Sequence, residues 1–194
     1  MAFLEQFSDE EKNMIVSLPY RAGIWIGSVD ETGSTVSDLH ERVSLRDTIE
    51  KKASGLFESA FVHEVMVELK RRDVEWDKWQ GQVGDILADC KSAVKIVETK
   101  MTEHDTNAYK RNMMQIATSV ALAFREFDEK AGFFKKLGVY TRIGIDKILG
   151  GIKGESYSSE QLLNISLAED LALAKLAKAL DFNQNIVFPE KAEK

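Results

Sequence analysis

The stretch WDKWQGQVGDILADCKSAVKIVETKM, residues 76 to 101, decides the fold class. Its apolar residues Trp76, Trp79, Val83, Ile86, Cys90, Val94, Val97 and Met101 recur at steps of three and four. That period puts them on one face of an α-helix, about 39 Å long at the standard rise per residue. Gly81 and Gly84 either weaken the helix locally or let a neighbouring helix approach closely. A helix of this length with an apolar stripe must be covered by others, so it is expected to be the central member of a bundle.

Helical patterning continues on both sides. In LFESAFVHEVMVELKRR, residues 56 to 72, Phe57, Phe61, Val65 or Met66, and Leu69 mark a buried face. Lys70, Arg71 and Arg72 then suit the negative end of the helix dipole. After Thr102 to Thr106 another helix is expected, with Met113, Ile116, Ala117, Val120, Ala121 and Phe124 inward. Towards the start of the chain, Ser8 and Glu11 have capping-box spacing, for a helix expected to end near Leu18. Pro19 suits the first turn of a second helix, PYRAGIWIGSVD, packed through Ile24, Trp25 and Ile26. A polar loop from Asp30 to Ser37 leads to a helix opening at Ser37 or Asp38. Val43, Leu45 and Ile49 are its apolar positions, and Ser54-Gly55 ends it. Residues 126 to 157 are the least regular, and Ser158 with Gln161 opens a last helix that runs to Leu180.

These segments predict an all-α protein, a single compact bundle of about eight helices. Residues 1–182 form one helical domain and 183–194 a C-terminal tail. The two prolines, Pro19 and Pro189, leave the long middle of the chain without an obligatory helix breaker. At 194 residues the chain can bury roughly 70% of its unfolded surface, enough for a core without a disulfide or metal staple. A weak internal two-fold repeat is also expected. In each half an apolar helix meets an acidic, glycine-bearing loop and a Ser-capped helix follows, around Asp30 to Ser37 and again around Phe127 to Ser158.

Charge and cysteine content narrow the function classes. The net charge of −6 opposes binding to a phosphate backbone, and the basic clusters Lys51-Lys52, Lys70-Arg71-Arg72 and Lys135-Lys136 are short. Nucleic acid is therefore not an expected partner. Cys90 is the only cysteine, so there is no thiolate zinc set, and on a helix it reads as a small core residue. The start of the chain lacks the basic and apolar regions of a signal peptide. No run approaches the ~20 apolar residues of a transmembrane segment, and the expected location is cytoplasmic.

Two groups of residues are candidate sites. From Asp30 to Glu41 the spacing resembles a calcium loop, with Asp30, Thr32, Ser34, Asp38 and Glu41 at oxygen-ligand positions and Thr35 where glycine is usual. Asp30, Asp38 and Glu41, with His40 or His63, are thus the candidate metal ligands. A divalent cation is the one cofactor considered. Glu64 and Glu68, one turn apart, are a second carboxylate pair. The other group is Phe133, Phe134, Ile145, Ile148 and Leu149, in a glycine-interrupted amphipathic segment suited to a partner helix or a second copy of the chain. Trp76 and Trp79 read as core, with a ligand pocket as the alternative. No nucleophile, P-loop, dinucleotide or kinase motif is present. The expected function is accordingly non-enzymatic, exercised through a protein partner or a homo-oligomer, with a cation-binding or metal-dependent helical bundle as the alternative.

The acidic loop Ser28-Val29-Asp30 with Gly33, followed by Ser37-Asp38, resembles the interhelical loop of tellurite-resistance TerB-like domains. Ala131-Gly132-Phe133-Phe134 and the later Ser158-Ser159-Glu160-Gln161 are similar in layout. The resemblance touches residues 19 to 45 and 113 to 182. It implies an all-helical fold with internal two-fold similarity and a role in metal stress rather than catalysis. Asp30 and Asp38 are the residues it would assign to a cation. The family's Ala-Asp-Gly core reads Val29-Asp30-Glu31 here, with the glycine displaced to Gly33.

Overall fold

The structure is a computed structural model, which describes residues 2–29, 35–55, 59–123 and 167–182. A short 3-10 turn, Phe3–Gln6, precedes α1 (Asp9–Ser28), α2 (Thr35–Ser54), α3 (Ala60–Arg71), α4 (Trp76–Gln80), α5 (Ile86–Lys100), α6 (Glu103–Ala123) and α7 (Leu167–Ala179). A second 3-10 turn, Asp73–Glu75, links α3 to α4. Among the described residues there is no strand, and the all-α bundle expected from the sequence is what forms.

The organising helix is α1, not the segment from Trp76 to Met101. It packs against all six other helices, most extensively against α6. Ile15 through Gly23 are buried without interruption, the mark of a helix surrounded on every side. Ser8 and Glu11 cap it reciprocally, as their spacing predicts. The expected break at Leu18-Pro19 does not occur, and the helix runs through Pro19. Proline removes the N–H that would bond the carbonyl of residue 15. Here the Tyr109 hydroxyl on α6 donates to that Ile15 carbonyl at 2.9 Å, so the gap in the ladder is filled from a neighbouring helix.

The long helix expected over 76–101 is in fact two. Gly81 and Gly84 do not serve close packing, since a Cβ at Gly84 would meet nothing within 4 Å. They end α4 and leave a turn of residues 81–85. Arg21, buried on α1, stabilises that interruption: its guanidinium donates to the Gln82 carbonyl and pairs with Asp89 on α5. A close approach occurs elsewhere. A Cβ added at Gly23 would lie 2.5 Å from Leu45 Cδ1, so glycine lets the Leu45 side chain of α2 pack directly against α1.

The core includes Phe7 stacked with Phe61, then Ile15, Leu18, Met66, Tyr109 and Met113, and Tyr20 with Trp76 stacked on it and Trp79 tilted beside it. The core reading of both tryptophans holds. On α2, Leu45 and Ile49 are buried as expected, but Val43 is 51% exposed; two residues before Leu45, it falls on another face of the helix. Phe57, Phe124 and the proposed second repeat, around Phe127 to Ser158, lie outside the described residues, as does the tail from 183. Among the described residues no helix is long and apolar enough to cross a membrane.

Candidate functional site

Several ionisable side chains in the fold hold the backbone or one another in place. Glu64, singled out with Glu68 as a possible metal pair, accepts from the amides of Phe3 and Leu4 at 2.7 and 3.0 Å and so pins the first 3-10 turn. Glu68 accepts from Nε and one terminal nitrogen of Arg71, each at 2.7 Å, and that hydrogen-bonded pair holds its carboxyl below the ordinary value. Arg72 clasps Glu75 and Asn13 and lies over Trp79, 5.0 Å from the ring centre. The basic cluster at 70–72 is in this way partly neutralised. On Asp105, burial alone would raise the carboxyl, but hydrogen bonds from Thr102 and Ser59 outweigh it and hold it low. Ser59 also caps α3, so one carboxylate joins the starts of two helices.

The sequence-derived metal candidates are only partly placed. Asp30 lies outside the described residues. Asp38, His40 and Glu41 fall within α2, which begins at Thr35, ahead of the expected opening at Ser37 or Asp38, and their side chains lie outside the description. His63 is exposed on α3. Among the described residues no group of three His, Cys, Asp or Glu side chains is placed to hold a metal ion. Phe133, Phe134, Ile145, Ile148 and Leu149 lie outside the described residues. Cys90 is wholly buried, and burial pushes its thiol up to about 12.

The structure brings together a site that the sequence reading passed over. Where α5 ends, α6 begins and α7 ends, a cleft of about 340 Å³ opens. Glu98 and Met101 line it from the end of α5, Glu103, Thr106, Asn107 and Lys110 from the first two turns of α6, and Asp181 from the end of α7. Lys110 is almost entirely buried, yet its ammonium donates to Glu98 at 3.0 Å. Thr106 is buried as well, and its hydroxyl has no hydrogen-bond partner among the described residues. An unpartnered buried hydroxyl costs about 1–3 kcal/mol.

Asp181 is held in place by how α7 stops. The Phe182 amide bonds the Ala177 carbonyl at 2.9 Å and the Asp181 amide bonds that of Lys178 at 3.2 Å, a Schellman ending. Such endings favour glycine at the left-handed position, but here it is Asp181, with φ of 48°. A residue with a side chain costs about 1–2 kcal/mol there.

A signal for this site was present in the sequence. Thr106 and Lys110 precede Met113, Ala117 and Val120 at the same helical spacing, so two polar residues occupy the opening of a buried stripe. Asp181 gave none, since an acid after a leucine-rich helix reads as the start of a tail. No family model, curated protein or solved structure matches the chain.

Proposed function

We propose that this chain is a non-enzymatic cytoplasmic binding protein, which holds a protein partner or a second copy of itself at the cleft beside the start of α6. The stress-related role implied by the TerB-like resemblance belongs to the same proposal. The observation that carries it is the cleft itself, with a buried lysine, an unpartnered buried threonine hydroxyl and a carboxylate on a strained helix ending. Stability is given up at these positions, as it is at sites shaped for contact with something else. Acid–base chemistry near neutrality would need groups shifted towards it. Glu11, Glu68, Glu75 and Asp105 are shifted down and Cys90 and Tyr109 up, all away from neutrality. Asp170, raised by burial, moves the other way and does not line the cleft.

Light scattering across a concentration series, combined with partner capture by the immobilised chain, tests the reading. Both are run beside a variant carrying Glu103→Lys and Asp181→Lys. Mass that grows with concentration, or captured protein, and that disappears in the variant supports it. A strict monomer with no cleft-dependent capture would overturn it.

The alternative is a divalent-cation site at Asp30, Asp38 and Glu41, supported by the calcium-loop-like spacing of the sequence from Asp30 to Glu41. Thermal unfolding with EDTA, then with calcium, magnesium, zinc or manganese, tests it. Saturating cation should raise the midpoint by several degrees, an effect lost in Asp30→Ala. No shift with any of the four ends that reading.

A further inference from the structure

The turn Phe3–Gln6, with Ala2 before it and Phe7 behind it, forms a strap laid against α3. Its end bonds stay inside it: the Glu5 amide donates to the Ala2 carbonyl and the Phe7 amide to the Leu4 carbonyl, each at 3.4 Å. Those bonds are long against a usual N–H···O distance of about 2.9–3.0 Å. Among the described residues no backbone bond ties the strap to another element. Side chains hold it down instead. The Phe3 and Leu4 amides donate to the two Glu64 oxygens at 2.7 and 3.0 Å. The Lys100 ammonium donates to the Gln6 carbonyl at 3.0 Å and lies 5.1 Å from the centre of the Phe7 ring. Beneath, Phe61 meets the Phe3 ring edge-on and stacks with Phe7, at 6.2 and 5.9 Å between centres.

The strap ends at a clean joint. Phe7 and Ser8 are both extended, with ψ of 147° and 166°. Past that joint, the Ser8 amide donates to the Glu11 carboxylate and the Ser8 carbonyl accepts from Lys12, both at 2.8 Å, so α1 is capped from within itself. Raising the strap therefore opens no turn of α1, and Lys100 keeps Glu11 as a partner when Gln6 leaves. In the closed position Leu4 and Phe7 are buried and Phe61 is sealed from solvent.

We propose that residues 2–7 lift from α3 as one unit about the joint between Phe7 and Ser8, with Glu64 and Lys100 as the clasp. The lifted state presents an apolar face of Phe3, Phe7 and Phe61, which the closed state hides. A segment joined to its neighbours by a few side chains and by no backbone ladder opens at lower free energy than a core helix. The device makes an apolar surface conditional on two charged side chains, and it is independent of what the cleft binds.

Native-state hydrogen exchange on the full chain tests it without any substitution. The amides of Phe3, Leu4, Glu5 and Phe7 should share one opening constant, on the order of a hundredfold larger than that of Val16 in α1. That constant should change little with low denaturant, because a local opening exposes little surface. Glu64→Gln should enlarge it about tenfold, by weakening two charge-assisted bonds, and Lys100→Met should act in the same direction. A thiol introduced by Leu4→Cys gives a second readout. It should react with an aromatic disulfide in native buffer over an interval in which Cys90 does not, and faster once Glu64→Gln is added. Strap amides that open only with Val16, at the same free energy and denaturant slope, would overturn the proposal. So would an opening constant unmoved by Glu64→Gln, or two thiols that label together only as the chain unfolds.

Discussion

The hydroxyl of Tyr109 and the ring of Pro19 are two halves of one device. Pro19 leaves the Ile15 carbonyl without its helical donor, and Tyr109, ninety residues away in sequence, supplies a replacement at 2.9 Å. Both residues are buried, so water has little access to that carbonyl if the hydroxyl is lost.

Tyr109→Phe should therefore destabilise by about 1–3 kcal/mol, the cost of stranding a buried acceptor. With Pro19→Ala in the same chain an amide returns at position 19, and the penalty of Tyr109→Phe should shrink. A denaturant double-mutant cycle measures this coupling. Additive effects would mean that the hydroxyl is not substituting for the missing amide.

Arg21 is a buried side chain of α1 that holds both the turn after α4, through the Gln82 carbonyl, and α5, through Asp89. Arg21→Met should cost about 3 kcal/mol, because the Gln82 carbonyl and the Asp89 carboxylate lose their donor. Arg21→Lys should recover only part of this, since a point-like ammonium cannot reproduce the fork. Urea unfolding of the three proteins checks the order.

At Gly23 the reason for glycine is space. Gly23→Ala should destabilise by about 1–3 kcal/mol, because the new methyl meets the buried Leu45 side chain, which must leave its packed position. Added to a Leu45→Ala chain, the same change should cost much less. Equal costs in both backgrounds, read from thermal midpoints, would exclude the contact as the cause.

Cys90 should be inert while the chain is folded. With its thiol pushed up to about 12 by burial, it has almost no thiolate at pH 8 and no route for a reagent. Labelling by an aromatic disulfide at pH 8 should proceed at the rate of unfolding and accelerate with denaturant. Prompt, complete labelling in native buffer would contradict the buried position.

Acid should destabilise the fold in a defined window. Glu11, held low by the hydrogen bond from Lys100, and Glu68, Glu75 and Asp105 are all depressed relative to ordinary values of 4.5 for Glu and 3.8 for Asp. A carboxyl depressed on folding contributes stability that is present above its unfolded value and lost as pH falls through the folded one. Stability should hold above about pH 5 and fall below it. Asp105→Asn should flatten that acid limb. Asp170, raised by burial, has the opposite sign: its contribution is fully favourable below 3.8 and lost as pH rises through the raised value.

The fold was legible wherever one face of a helix decides its partner. Phe61, Val65, Met66 and Leu69 on α3 and Met113, Ile116, Ala117, Val120 and Ala121 on α6 are buried as their spacing predicts. It was illegible where a distant group overrides a local rule. Nothing near Pro19 announces Tyr109, and nothing near Gly81 announces Arg21. Reading those positions locally gives a break where the helix continues, and a continuous helix where it breaks. The cleft was half legible: Thr106 and Lys110 stand out on an apolar stripe. Asp181 becomes visible only once α7 is folded back beside α6, because no local pattern brings those ends together.

The interruption at residues 81–85 also sets how motion is partitioned. An unbroken rod from Trp76 to Met101 would frustrate independent opening, since each turn would hold its neighbours through the ladder. Divided in two, the segment has an elbow, and the opening free energy of the tryptophan-bearing half need not equal that of the half carrying Cys90. One guanidinium from α1 joins the elbow, at Gln82, to the half carrying Cys90, at Asp89. Arg21 ties that elbow and α5 to α1, so Arg21→Met should let the two halves exchange with solvent at more unequal rates than in the parent chain.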